Sequence, residues 1–104
     1  MKTFEFFGEI PSEFEGECYI KSLKGIYFLK KDHIIHNETG PAIVADDGRK
    51  EWWQNNEWHR LDGPSRIYKN GYQIFLIYDV MFSKEEFWKH PLVIENTIKK
   101  ILEL

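Results

Sequence analysis

Between residues 13 and 82 the apolar positions come in short β-prone runs, each closed by a polar turn. In "AIVA-DDG-RKEWWQ" (42–54) and "SRIY-KNG-YQIFLIY" (65–78), β-branched and aromatic residues flank a turn on both sides. Asp47-Gly48 and Asn70-Gly71 are two-residue hairpin signals, because Asn or Asp followed by Gly tolerates positive φ. Lys24-Gly25, between "YIKSL" and "IYFLK", is a weaker version, and "QNNEWH" (54–59) predicts a second turn that leads back toward the next run. After Phe82 the period changes. Ser83 with Glu86 forms a capping box for a short helix, and Pro91 ends that helix and suits the first position of another. In that second helix Ile94, Ile98, Ile101 and Leu102 recur at helical spacing and make one apolar face.

The chain also repeats itself at a fixed offset. Sliding it along its own sequence aligns His36 with His59, Gly40 with Gly63, Pro41 with Pro64, Gly48 with Gly71 and Trp52 with Phe75. "HNETGP" (36–41) is thus rewritten as "HRLDGP" (59–64). A further step back by the same interval puts Gly25 under Gly48, with Glu17 and Cys18 where the Gly-Pro would stand. Three units follow, 13–35, 36–58 and 59–82, the outer ones degenerate as terminal repeats often are. Proline fixes φ and lacks an N–H, so each Gly-Pro suits the start or edge of a strand. The expected fold is α+β within one domain, 1–104. A repetitive antiparallel hairpin meander is followed by two C-terminal helices in 83–104, laid on one sheet face or capping one end.

Composition narrows the function classes. Aromatics make up 16% of the chain, so much of the burial must come from large rings. The net charge of −3 is spread evenly, and no stretch is basic enough to neutralise a run of phosphates. Nucleic acid as the main partner is therefore disfavoured. A single cysteine, Cys18, rules out an internal disulfide and fits a reducing compartment. The start lacks a signal peptide's apolar stretch, and no apolar run approaches the roughly 18 residues of a membrane span. A cytoplasmic protein without a membrane partner is expected.

The stretches "HNETGPAIVADDGRKEWWQNNEWHRLDGP" (36–64) and "SRIYKNGYQIF" (65–75) resemble the MORN-like repeats of tailed-phage, large-virus and bacterial proteins. "MFSKEEFWKHP" (81–91) looks like the strand and short acidic helix that end such arrays. The pattern departs from the Tyr-x-Gly-x-x-x-x-Gly of eukaryotic MORN repeats, so lipid or kinase roles do not transfer. The resemblance implies an open, hairpin-built sheet used as a binding scaffold, and a phage accessory protein acting in the host cytoplasm.

Candidate chemistry divides into three sets. His33, His36, His59 and His90 invite a metal reading, but residues three apart on a strand point to opposite faces, and a zinc site needs three or four converging ligands. His36 and His59 occupy equivalent repeat positions, which argues for one structural role used twice: bracing a turn, or lining a site beside it. Cys18 lacks any orienting elbow and reads as a core thiol, while Glu38 and Asp62 imitate an acid/base pair. Thr39 and Asp62 read as turn caps. The aromatics are the third set: Trp52 and Trp53 are adjacent, so on a strand they face opposite sides. No cofactor or metal is implied.

The leading expectation is a non-enzymatic protein-interaction module, a small phage protein that binds and inhibits a bacterial host or defence factor. Trp52, Trp53, Trp58 and Tyr72 are its expected anchors, with Arg60 and Arg66 as polar support. Pairing with a second copy through the sheet is compatible with apolar residues on both faces. The alternatives are a protein that sequesters a signalling nucleotide by aromatic stacking and Arg contacts, and a hydrolase in which Cys18 or the histidines converge.

Overall fold

The computed structural model describes residues 1–103. Among these described residues, eleven short strands and two helices form in chain order: β1 (Lys2–Phe4), β2 (Gly16–Ile20), β3 (Gly25–Lys30), β4 (Ile34–Ile35), β5 (Ile43–Ala45), β6 (Lys50–Glu51), β7 (Trp53–Gln54), β8 (Glu57–Trp58), β9 (Arg66–Ile67), β10 (Gln73–Ile77), β11 (Val80–Phe82), α1 (Lys84–Lys89) and α2 (Pro91–Leu102). Nine strands build one sheet in the order β1-β2-β3-β5-β6-β9-β10-β11, with β4 also on β3, and β7-β8 is a separate hairpin. The architecture is the expected α+β one, a hairpin-rich sheet followed by two C-terminal helices.

Three local details differ from the sequence reading. β1 joins the edge parallel to β2, pairing Lys2 with Cys18, so the sheet is not wholly antiparallel. The two glycine hairpins close with three loop residues, Asp46–Gly48 and Lys69–Gly71, rather than two. Ala45 and Tyr68 donate across to Arg49 and Tyr72, and the added residue is a glycine at φ 96° or 87°. A type I turn followed by a left-handed glycine is the usual three-residue solution. Lys24-Gly25 is not a turn centre: Ile20 pairs with Gly25 across a four-residue loop. Gly25 instead permits close approach, since a Cβ there would meet the Val44 carbonyl oxygen at 3.1 Å.

The two-residue turns lie elsewhere. Asn55-Asn56 and Tyr78-Asp79 each carry two positive φ values, closing the β7-β8 hairpin and the β10-β11 hairpin as type I′ turns. The two turns are one repeat interval apart, and one interval before the first stand Asp32 and His33, also at positive φ. Each turn is tied to the unit before it. Asn56 donates its N–H to the Ile35 carbonyl, and its Oδ1 accepts from Ile35 N at 2.6 Å. Asp79 does the same with Trp58, at 2.7 Å through Oδ1. In the first unit Asp32 N reaches the Ser12 carbonyl, so the device persists there in shifted form.

Register decides what each face holds. Ile43 pairs with Tyr27 and Glu51, Glu51 with Arg66, and Arg66 with Ile74, so these share one face. On it Phe4, Ile10, Cys18, Ile20, Tyr27, Leu29 and Ile43 form the first core, covered by Phe7 and Phe14 of the N-terminal segment. Phe75 follows Ile74 and points to the opposite face, where it meets Phe87 of α1, Val93 of α2 and Ile77 in the second core. The helices therefore cover one end of one face, and the N-terminal segment covers the other end of the other.

The helix caps form as read from sequence. Ser83 and Glu86 make the capping box, and Pro91 opens α2. The apolar stripe of α2 does not face the protein, however: Ile94, Ile98, Ile101 and Leu102 are exposed, and only Val93 is buried. Val93 is drawn into the second core and Lys100 to Asp62, which turns the isoleucines outward.

The anchored turns give a direct test. Asn56→Ala removes the side-chain bond to Ile35 N and puts alanine, which tolerates positive φ less well than asparagine, at φ 67°, and should lower the unfolding free energy by about 1–3 kcal/mol. Asn56→Gly loses only the bond and should cost less. Urea denaturation of the pair should show that order, and equal stabilities would contradict the anchoring.

Candidate functional site

The two Gly-Pro turns are held by the same set of contacts, transposed by one repeat unit. His36 Nδ1 accepts from Asn55 N at 3.1 Å, and His59 Nδ1 accepts from Tyr78 N at 3.0 Å. Each imidazole thus braces the first residue of the type I′ turn that follows in its own unit. The next residue reaches over the glycine to the proline carbonyl: Asn37 Nδ2 donates to Pro41 O at 3.0 Å, and Arg60 Nη1 donates to Pro64 O at 3.1 Å. The glycine is needed for this crossing at the second turn, where a Cβ on Gly63 would lie 2.8 Å from Arg60 Cζ. The expected caps are placed differently. Thr39 donates to Asn37 Oδ1, and Asp62 accepts from Arg60 Nε at 2.7 Å and Lys100 Nζ at 2.9 Å rather than from backbone.

Between these turns lies a groove of about 890 Å³ on the helix-bearing face. Asn37–Pro41 of the first turn, Arg60–Asp62 of the second, and Asn96 and Lys100 of α2 line it. Trp52, His59 and Tyr78 also line it. Arg60 is held in three ways: by Asp62, by the Pro64 carbonyl and by stacking over Trp52, with Cζ 3.9 Å from the ring centroid. His59 is buried and lies flat on Tyr78, with centroids 3.9 Å apart at 21°. Burial lowers the His59 pKa from its ordinary 6.5. Asp62 is also held below its usual range: burial opposes this, but the Lys100 and Arg60 hydrogen bonds and charges outweigh it.

The remaining aromatic residues turn to the opposite face and surround one carboxylate. Glu51 is 4% exposed. Its Oε1 accepts from the indole N–H of Trp53 at 3.1 Å and of Trp58 at 2.8 Å, and its Oε2 accepts from Arg49 Nε at 2.7 Å. The Arg66 guanidinium lies 3.9 Å from Oε2, 5.0 Å from the Trp58 ring centroid and 4.9 Å from that of Tyr68. Trp53 and Trp58 pair across β7-β8 with centroids 4.5 Å apart, and Trp53 packs against the first core.

The structure therefore divides the sequence's aromatic set into three places. Trp52 and Arg60 line the groove, while Trp53, Trp58 and Arg66 enclose Glu51 on the other face. Tyr72 stands exposed at a hairpin tip, 5.9 Å from Tyr68. Trp52 and Trp53 do face opposite sides. Of the two braces, His59 lines the groove and His36 does not, although His36 Nε2 lies 3.5 Å from groove-lining Glu38. His33 Nε2 meets the Ile10 carbonyl and His90 Nδ1 caps α2 by accepting from Leu92 N, so the four histidines do not converge. Among the described residues no group of three or more His, Cys, Asp or Glu is placed to hold a metal ion. Cys18 is fully buried, which pushes its thiol pKa up. Sequence reasoning missed Glu51, Tyr78 and Asn96. The repeat offset, applied to Asn55, would have found Tyr78.

No family model, curated protein or solved structure matches the chain.

Two outcomes follow from the buried groups. Glu51→Ala leaves two indole N–H groups and the Arg49 guanidinium without their acceptor and Arg66 without its countercharge, and should destabilise by about 3–5 kcal/mol with a shifted tryptophan emission. A loss under about 1 kcal/mol would contradict the geometry. For His59, a folded pKa below the unfolded 6.5 means that its contribution is present above pH 6.5 and is lost as pH falls below it. The cause is visible: a protonated Nδ1 becomes a donor facing the Tyr78 N–H donor. His59→Gln should flatten the fall in stability as pH drops below about 6.5; an unchanged slope would refute this role.

Proposed function

We propose that the chain is a non-enzymatic protein-interaction module whose groove receives an extended segment of a partner protein. The observation that carries this reading is the convergence of two identically braced Gly-Pro turns and α2 on one preformed groove. Of its side-chain amides, Asn37 is engaged by Pro41 and Thr39, Gln54 Nε2 by the Asn37 carbonyl and Asn55 Oδ1 by Lys30, which leaves Asn96, Gln54 Oε1 and Asn55 Nδ2 to match the donors and acceptors of a peptide backbone. Acids and bases are balanced there, Glu38 and Asp62 against Arg60 and Lys100, as suits a neutral chain rather than a polyanion. Rigid bracing from His59 and Arg60 limits the ordering cost on binding. Trp52 and Arg60 are contact residues in this reading, and Trp53, Trp58 and Arg66 support them from the opposite face. Tyr72, at the β9-β10 hairpin tip beside Tyr68, stands outside the groove and is not a contact in this reading. In the setting that the MORN-like resemblance implies, the partner is a bacterial host or defence protein.

A nucleotide would need an arginine for its phosphate, but Arg60 is engaged by Asp62 and Pro64 and Arg66 lies beside Glu51. The peptide reading is therefore the stronger of the two.

The test is a matched capture from bacterial lysate with the wild-type chain and Asn96→Trp, which fills the groove from the helix side. A protein held by the wild type should be lost with Asn96→Trp at unchanged circular dichroism. Its binding should slow amide exchange in 37–41 and 59–62. Retention by Asn96→Trp, or protection mapped elsewhere, would sink the reading.

A further inference from the structure

The stripe of α2 that faces away from the protein is more apolar than the side that faces it. Ile94, Ile98, Ile101 and Leu102 are 46%, 51%, 61% and 79% exposed. The side that meets the body carries Val93, half-buried Asn96 and Lys100, whose ammonium holds Asp62. At 100° per residue the two sides lie roughly 150° apart around the helix. Scattered exposed apolar residues need no explanation, but four on one stripe of a 12-residue helix form a seam. The spacing of Ile94, Ile98 and Ile101 is four then three, the alternation of a coiled-coil d, a, d series.

We propose that this stripe is the contact between two copies of the chain, packed as an antiparallel pair of α2 helices about a two-fold axis beside Ile98. An isologous contact must be self-complementary, so that residue i meets j and j meets i. With the axis at Ile98, that residue meets its own copy, and Ile94 lies opposite Ile101 and Leu102 of the partner.

The charges beside the seam favour the same arrangement. Glu95 and Lys99 lie together on one flank, 3.3 Å apart as an i,i+4 pair. In an antiparallel pair like flanks meet, so Glu95 approaches the second copy's Lys99 while Lys99 approaches its Glu95. A parallel pair would instead set this flank against the other one, that of Thr97, which carries no charge to meet it. Because the stripe lies nearly opposite the body, the antiparallel pair forms without a clash between the two sheets.

Size sets the expected strength. A 12-residue helix is about 18 Å long, and its seam falls short of the roughly 800 Å² per partner typical of a stable complex. Association in the micromolar range is therefore expected, with the dimer dissociating on dilution. The contact is separate from the groove, so either site can fail its test without the other.

Sedimentation equilibrium over a concentration series reads this out. The wild type should approach twice its monomer mass at about 100 μM, a concentration chosen for micromolar association. Ile98→Glu should stay monomeric at unchanged circular dichroism and thermal midpoint. Glu95→Lys should weaken the dimer, and Glu95→Lys with Lys99→Glu should restore it. Oxidative cross-linking fixes direction: Ile98→Cys should link to its own copy readily and Ile94→Cys poorly. A wild type monomeric at about 1 mM, a dimer that survives Ile98→Glu, or equal self-linking at positions 94 and 98 would overturn the proposal.

Discussion

A carboxylate that leaves water must be surrounded by donors, and Glu51 sits where that requirement shapes the middle of the sheet. Both of its oxygens are engaged, one by two indole N–H groups and the other by Arg49, with Arg66 close by. The donors come from β7, β8 and the loop before β6, and the Arg66 countercharge from β9, so one side chain draws on four separate pieces of backbone. It sets the tilt between Trp53 and Trp58 and brings the small β7-β8 hairpin against the larger sheet. An alanine-like filler would leave this region with large rings and no common acceptor. Packing and polarity here are not separate problems, since the aromatic rings that fill the space are also the donors that satisfy the charge.

On the opposite face the same stretch of chain does something else. Trp52 lies under Arg60, and Arg60 is fixed by Asp62 and the Pro64 carbonyl. Adjacent residues, Trp52 in the link between β6 and β7 and Trp53 in β7, thus join a groove on one side and a charged core on the other. The histidines of the repeated hexapeptides connect these layers to the turns, each supplying one acceptor to a backbone N–H further along its own unit. Repetition is what makes this economical, because a single solution for one Gly-Pro turn serves the next.

Much of this was legible in the sequence, and the failures have physical causes. The repeat period, the capping box at Ser83 and the opening of α2 at Pro91 depend on local chemistry, so they could be read directly. Tyr78-Asp79 could not, because tyrosine is not a turn residue. Its φ of 46° is imposed by the His59 bond and stack and by the anchoring of Asp79 to Trp58. Glu51 in "RKEWW" looks like an ordinary exposed strand residue, and only register shows two tryptophans bending toward it. The helical stripe was read correctly as apolar, but its direction was set by Val93 and Lys100, which sequence periodicity ranks below the isoleucines. For the groove, the sequence supplied Trp52, Arg60 and His59, while Asn96 entered only through the docking of α2.

The ties that run backward from each turn to the preceding unit give the chain a quantum of length. Ile35 with Asn56, and Trp58 with Asp79, are the same bond pair displaced by one unit. Removing or duplicating one such interval presents every surviving turn with an equivalent strand to hold, whereas a change of any other length leaves an asparagine or aspartate facing the wrong backbone group. A protein built this way can lengthen or shorten its sheet by whole units while its two covering segments stay as they are. Groove number would then rise with unit count, because each junction between successive Gly-Pro turns supplies the walls of one more.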